Sequence, residues 1–165
     1  MNIGIDTTSV RTTAEGAEFR VGTVMSLEGT TGGTQEFIYV ETSEAVTAAG
    51  YLCVLDSANI AEMADTTSTA PGAGAGARVG AAQAAIASGG FGWLQVYGKG
   101  SLRTLASAAK GTELTCSATP GAVDDATTAG LEVMAGITLG TATGGVAATN
   151  ADAYFNYPYV GRTLA

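Results

Sequence analysis

Few residues in this sequence have the types and spacing that catalysis requires. The chain contains no histidine, which excludes Ser-His-Asp triads, imidazole metal ligands and the most common general base. The carboxylates of Asp124 and Asp125 follow the turn residues Pro120 and Gly121, where solvated aspartates are common for backbone reasons. A calcium site needs further oxygen ligands at a loop-like spacing, and none is near in the sequence. We therefore predict a non-enzymatic protein without a metal or cofactor.

Two glycine-rich stretches can be compared with nucleotide-binding loops, and both fail the comparison. A dinucleotide fingerprint that starts at Gly72 requires a glycine where Ala77 stands, so the third glycine is missing. A phosphate-binding loop that ends at Gly98 and Lys99 requires its first glycine where Trp93 stands. These glycines are interpreted as structural.

The two cysteines, Cys53 and Cys116, lie in separate apolar runs and match no metal-ligand spacing. Buried free thiols are the usual occupants of such runs, and a disulfide between them is the open alternative. The sequence has no basic-then-apolar leader and no apolar run long enough to cross a bilayer. We expect synthesis in a reducing cytoplasm and no membrane partner.

The formal net charge of −8 is concentrated in one part of the chain. Residues 1–65 carry ten acidic side chains against two arginines, whereas residues 66–165 carry five of each sign. An acidic protein is repelled by nucleic-acid phosphates, so direct DNA or RNA binding is not expected. The acidic side chains of residues 1–65 serve solubility alone, or they contact a basic patch on a partner.

Composition predicts one all-β domain. The chain of 165 residues is long enough for a single core, and 46 % apolar against 13 % charged residues excludes a disordered protein. Its 24 glycines and many threonines lie between short apolar runs, which is typical of short strands joined by tight turns.

The stretch 79–98 is predicted to form the centre of this domain. Its second run, from Phe91 through Trp93 and Val96, is rich in the aromatic and β-branched residues that favour strands. Its first run, 79–86, is alanine-rich and fits a short helix by propensity, although eight residues make a helix only marginally stable. We interpret the two runs as a hairpin that turns at Ala87–Gly90, with Phe91, Trp93 and Val96 in the core.

The remaining segments are assigned by pattern. Residues 1–18 form a polar, extended arm that is ordered only where it lies on a surface, which leaves 19–165 as the domain. Residues 58–64 fit one or two helical turns, and 65–77 form a long loop of low complexity. The further predicted strands cover residues 19–28, 34–42, 51–56, 100–105, 113–118, 130–139 and 153–160.

Strand 34–42 has apolar side chains on both faces, with Phe37 and Tyr39 on one and Ile38 and Val40 on the other. A monomer of this size is expected to leave one of these faces exposed as an apolar patch. We therefore predict a trimer.

The last predicted strand is unusually aromatic. Its aromatic residues are Tyr154, Phe155, Tyr157 and Tyr159. They form either a sugar-binding platform or a strand that packs one face on the domain and the other on a neighbouring subunit, and we favour the second. Pro158 within this strand indicates a sheet edge.

The order of several motifs over residues 34–160 resembles the decoration, or cement, proteins of tailed-phage heads. These motifs are the apolar run Gly50–Asp56, the glycine-rich loop followed by RVGAAQAAIASGGFGWLQVYG, a Thr-Pro-Gly turn before Asp124, and the closing Tyr-Pro-Tyr-Val. The hairpin that ends in Gly-Phe-Gly-Trp and the Tyr-Pro close carry most of the resemblance.

The resemblance implies a β-barrel or β-tulip domain, a homotrimer, and a virion location on the outer surface of the capsid. The implied partner is the major capsid protein, whose subunits such proteins staple together. The expected contact residues are Ile3, Ile5 and Val10 in the arm, with Tyr157 and Tyr159 in the last strand. A phage tail or spike subunit and a host-surface binding module are the alternatives.

Overall fold

A computed structural model describes residues 5–29 and 33–165, and these ranges contain ten β-strands and no helix. The predicted all-β, single-domain class is confirmed. The strands are β1 (Val24–Glu28), β2 (Thr34–Thr42), β3 (Leu52–Leu55), β4 (Ile60–Met63), β5 (Val79–Ala82), β6 (Phe91–Thr104), β7 (Thr115–Cys116), β8 (Val123–Asp124), β9 (Glu132–Leu139) and β10 (Thr149–Thr163).

All ten strands belong to one sheet, in the order β1-β2-β4-β3-β5-β6-β10-β9-β7-β8. Two additional pairings, β2 with β6 and β6 with β8, close this order into two circuits of five strands that share β6. The two closing contacts differ in length, since β2 pairs with β6 over Glu36–Glu41 whereas β6 meets β8 only at Thr104 and Val123. The β-barrel or β-tulip form is more specific than this pairing pattern and stays a prediction.

Strand β6 contributes to each of the three hydrophobic clusters found among the described residues. Leu102 belongs to the largest cluster, which also draws on β3, β5, β7, β9 and β10. Leu94 and Val96 belong to a second cluster inside the first circuit. Trp93 packs with Phe37 and Tyr39 in a third, aromatic cluster. The stretch 79–98 therefore lies where the two circuits meet.

The predicted strands agree with the observed ones to different degrees. β2 has the predicted bounds, and β5 and β6 pair antiparallel as the two arms of the predicted hairpin. Their connection, 83–90, is longer than the predicted turn. β6 also continues through Gly98 to Thr104, because Gly98 adopts φ 88° and lies where a Cβ would be 2.3 Å from the Thr34 carbonyl oxygen. The predicted helical turns at 58–64 are wrong, since Ile60–Met63 pairs with β3 and β2 as β4.

The predicted apolar patch on β2 is absent because this chain covers both of its faces. Ile38 and Val40 lie in the second cluster, and Phe37 and Tyr39 lie in the aromatic cluster, all at most 3 % exposed. The segment before β1 provides the cover, with Ile5 and Phe19 packed against the aromatic cluster. The reason given for a trimer is therefore wrong, although the trimer itself stays a prediction.

The part of the predicted arm that the structure describes lies on its own domain. Arg11 and Phe91 exchange two backbone hydrogen bonds of 2.9 and 2.8 Å. The Thr13 hydroxyl donates to the Gly89 carbonyl at 2.7 Å, and the Glu18 amide donates to the Tyr39 hydroxyl oxygen at 3.1 Å. These bonds hold the segment over the aromatic cluster.

Pro158 lies beyond the pairing of β10 with β6, which ends at Asn156. It still does not mark a sheet edge, because the next residue, Tyr159, pairs with Ala135 of β9 on one side and bridges to Arg78. The proline stands at a register shift between Phe155 and Tyr159, next to Tyr157 with its positive φ of 47°. A β-bulge tolerates proline because a ladder hydrogen bond is already missing there. Gly136 faces the bulge, and a Cβ at that position would lie 2.8 Å from the Asn156 carbonyl oxygen.

Candidate interaction surface

Three exposed tyrosines lie along β10. Strand alternation, which shifts by one residue at the bulge, turns Ala153, Phe155 and Val160 into the core and leaves Tyr154, Tyr157 and Tyr159 about half exposed, at 52, 55 and 48 %. Tyr97 of the paired strand β6 is half-buried beside them. We call these four residues the tyrosine surface. Tyr and Trp are enriched at interfaces because each ring is apolar and carries one polar group.

Tyr157 is held in place by two contacts across the sheet. Its hydroxyl donates to the Glu36 carboxylate of β2 at 2.8 Å, and its ring stacks on Tyr97 with centroids 5.2 Å apart. The hydrogen bond to the Glu36 carboxylate raises the pKa of the Tyr157 phenol above its usual value, because the bond favours the neutral phenol. The bulge at Pro158 thus presents a ring that is exposed yet fixed.

Tyr97 is positioned by a buried amide. Gln95 is 1 % exposed, and its side-chain nitrogen donates to the backbone carbonyls of Tyr97 at 3.0 Å and Lys99 at 2.9 Å. These bonds hold two backbone carbonyls at the irregular part of β6, and the Lys99 carbonyl also accepts a hydrogen bond from the Gln35 side-chain amide at 2.5 Å. A Cβ on Gly100 would lie 2.1 Å from the Gln95 side-chain oxygen, so the glycine makes room for the amide.

Tyr154 and Tyr97 both line an open cleft of about 460 Å³. The Tyr154 ring occupies the space above Gly140, the residue after β9, where a Cβ would be 2.9 Å from the ring. The cleft is also lined by Lys99 and Asn156. Lys99 pairs with Asp152 at 3.0 Å, and the hydrogen bond that Lys99 donates to the Asp152 carboxylate raises the pKa of Lys99.

A small apolar pocket of about 140 Å³ opens between β1 and the β10 bulge. Its lining residues are Val24, Ile38, Arg78, Val79, Val96, Tyr157 and Pro158. Ile38, Val79 and Val96 are buried, whereas Val24 is 49 % exposed. The pocket therefore gives access to apolar side chains of the core at the end of the tyrosine surface.

A larger cleft of about 850 Å³ lies between β3, β4 and the end of loop 65–77. Asp56 and Glu62 face it, with Arg78 at its border to the apolar pocket. Burial, followed by the negative charges of Glu44, Asp65 and Asp56, raises the pKa of Glu62. Across the described ranges, no group of three or more His, Cys, Asp or Glu residues is arranged to hold a metal ion.

The predicted core residues occupy different clusters. Trp93 is 1 % exposed in the aromatic cluster, Val96 is 8 % exposed in the second cluster, and Phe91 is half-buried at the border of the aromatic cluster. Phe91 stacks on Tyr39 with centroids 6.4 Å apart, and Tyr39 lies 4.9 Å from Trp93.

The two predicted contact residues of the arm that the structure describes, Ile5 and Val10, are not brought together with those of the last strand. Ile3 lies outside the described residues. Ile5 packs on the aromatic cluster of its own chain, and Val10 is 40 % exposed. Tyr157 and Tyr159 belong to the tyrosine surface.

Sequence reasoning missed Val24, Arg78 and Tyr97 as surface residues beside the last strand. Tyr97 had a signal, because it alternates with the core positions Leu94 and Val96 in an aromatic strand. Val24 and Arg78 had none, since their proximity depends on the pairing of β1 with β2 and on the bridge between Arg78 and Tyr159.

Both cysteines are free and buried. Burial raises the pKa of the Cys53 thiol, with a smaller contribution from the negative charge of Glu44. Burial also raises the pKa of Cys116, whose thiol donates to the Glu132 carboxylate at 3.6 Å. The described chain therefore contains no disulfide.

Comparison with known proteins identifies no relative: no family model, no curated protein and no solved structure matches this chain. In the part of the chain that the structure describes, no helical segment has the length and hydropathy to span a bilayer.

Proposed function

We propose that this protein is a structural binding protein that decorates the outside of a tailed-phage capsid and attaches to the major capsid protein through the tyrosine surface. The proposal includes a homotrimer as the attached form and no catalytic activity. The motif resemblance over residues 34–160 suggests the capsid as the partner.

The observation that carries the proposal is the fixed and exposed state of Tyr157. A ring that is 55 % exposed, stacked on Tyr97 and hydrogen-bonded to Glu36 loses little conformational freedom when a partner covers it. Interface energy is concentrated in such aromatic anchors. A sheet with three clusters beneath it also provides a rigid support for attachment to a shell.

The test is co-sedimentation of the protein with capsids that lack it. Tyr157→Ala and Tyr159→Ala are expected to weaken attachment by about tenfold or more. The matched control is Glu15→Gln, which removes one exposed charge from residues 1–65 and is expected to change attachment less than either tyrosine substitution. Normal attachment of both tyrosine variants would contradict the proposal.

A second candidate, a host-surface binding module, is favoured by the cleft between Tyr97 and Tyr154. Aromatic rings with Lys99, Asn156 and the Asp152 pair beside them can stack on a sugar face and bind its hydroxyls. Saccharide binding in the absence of capsids, lost in Tyr154→Ala, would select this function. Rings or fibres of purified protein in electron micrographs would instead select a tail or spike subunit.

A further inference from the structure

We propose that β1 and the apolar pocket together bind an extended segment of a partner polypeptide, added as a strand beside β1, with one apolar side chain seated in the pocket and a carboxylate two residues away. The inference deepens the proposed attachment role and rests on it for the identity of the partner. Its test uses peptides and therefore succeeds or fails independently of capsid binding.

The first observation is the unpaired edge of β1. Among the described residues, β1 pairs only with β2. The Thr23 carbonyl accepts a hydrogen bond from the Tyr39 amide at 2.8 Å, so odd-numbered residues of this segment direct their backbone groups toward β2. The backbone groups of Val24, Ser26 and Glu28 consequently point outward, which is the template that strand addition requires.

The second observation is the position of the pocket relative to that edge. Val24 pairs with Ile38 in register, and directly opposed residues share a face of the sheet. A residue of an added strand that stands opposite Val24 therefore directs its side chain to the face that holds Ile38 and the pocket. The pocket volume of about 140 Å³ suits one such group, because an apolar cavity of about 150 Å³ accommodates a benzene-sized guest.

The third observation is the charge at one end of the pocket. Arg78 is one of the residues that line the pocket, and its guanidinium donates to the Asn59 side-chain oxygen. Asn59 in turn lies against Gly22, where a Cβ would be 2.7 Å from its amide nitrogen. Gly22 lies in the turn just before β1, so Arg78 stands at the Val24 end of that strand. There the same-face neighbour of the apolar residue, two positions along an added strand, comes nearest to it. No carboxylate among the described residues lies within 4.0 Å of this cation.

These three features define the preferred segment as an acidic and an apolar residue separated by one residue. A strand can be added parallel or antiparallel, so the acidic residue precedes or follows the apolar one. The probes are acetyl-Thr-Glu-Thr-Leu-Thr-Thr-Thr-amide and acetyl-Thr-Thr-Thr-Leu-Thr-Glu-Thr-amide. The control for each replaces the leucine with aspartate.

Binding is measured by amide chemical shifts of the full-length protein and by titration. One probe is expected to bind and to shift the amides of Val24–Glu28, and its leucine-to-aspartate control is expected to bind about tenfold more weakly or worse. Arg78→Gln is expected to remove the preference for glutamate over glutamine in the probe. It leaves the apolar pocket in place.

The decisive variant is Ser26→Pro, which removes an outward N–H that only an added strand uses. Its matched control, Ser26→Ala, keeps that N–H. Ser26→Pro is expected to lose probe binding by about tenfold or more with a thermal unfolding midpoint close to that of Ser26→Ala. Equal binding by both variants would overturn the proposal, as would failure of both probes to bind at about 1 mM or pairing of two copies through β1 in place of the probe.

Discussion

The Tyr157 hydroxyl lies 2.8 Å from the Glu36 carboxylate, although 121 positions separate the two residues in the chain. This hydrogen bond joins the bulge of β10 to β2 across β6, and it places an exposed aromatic ring beside the pocket at β1. The hydrogen bond therefore brings the aromatic strand β10 and Glu36 of β2 together in one surface.

Replacement of Glu36 by glutamine is expected to lower the pKa of Tyr157 toward that of a free phenol, because the neighbouring carboxylate favours the protonated ring. In the native protein the folded-state pKa is raised above the unfolded value. This interaction therefore stabilises the folded state below about pH 10 and is lost as the pH rises through the raised pKa. Titration of 13C-labelled tyrosines by NMR measures the change. A Tyr157 pKa that is the same in both proteins would contradict it.

Trp93→Ala is expected to reduce the free energy of unfolding by about 3–5 kcal/mol, since a buried aromatic side chain is replaced by a cavity. Trp93 is 1 % exposed and contacts Phe19 and Tyr39. Chemical denaturation followed by circular dichroism measures the loss, because the variant lacks the only tryptophan. Phe91→Ala, at a half-buried position of the same cluster, should cost less. A loss below about 1 kcal/mol for Trp93→Ala would show that the aromatic cluster is not structurally important.

Removal of residues 1–18 is expected to destabilise the domain itself, because residues 5–18 cover the aromatic cluster through Ile5 and the backbone pairing of Arg11 with Phe91. Differential scanning calorimetry of the truncated and full-length proteins measures the effect. Ile5→Ser is the smaller change that tests the apolar contact alone. An unchanged unfolding midpoint in the truncated protein would indicate that the segment serves only a partner, as the sequence had suggested.

Both thiols are expected to resist alkylation in the native protein at pH 8 and to react after unfolding. Burial raises the pKa of Cys53 and of Cys116, which lowers the thiolate fraction that reacts. Mass spectrometry after iodoacetamide treatment, with and without denaturant, counts the labelled cysteines. Rapid native labelling of either residue would mean that its strand opens locally.

Attachment to capsids is expected to survive high salt. Exposed ion pairs contribute about 0–1 kcal/mol and are screened within about 8–10 Å at physiological ionic strength, whereas contacts made by Tyr157 and Tyr159 are largely apolar. Co-sedimentation between low and high salt separates the two cases. Release by salt alone, with normal binding of the tyrosine variants, would move the contact to the acidic residues of 1–65.

The sequence was sufficient for features that depend on neighbours along the chain. Alternation of side chains placed β2 at Thr34–Thr42, and glycine with β-branched and aromatic residues predicted the all-β class. Predictions from local patterns failed where pairing with other strands determines the conformation of a short segment. Ile60–Met63 has the composition of a helical turn, yet hydrogen bonds from β2 and β3 make it a strand.

Only the tertiary structure decided which faces are covered and which residues meet. Alternation places Tyr39 on an apolar face of β2 but does not show whether that face is exposed. Tyr39 is buried because Phe19, from the segment before β1, packs on it. Pro158 reads as an edge marker, and it lies inside the sheet because the bulge and Gly136 accommodate it. Val24 and Arg78 become neighbours of Tyr157 through pairings that span the chain. Periodicity specifies which side of a strand is apolar, but the packing that covers that side depends on contacts between segments remote in sequence.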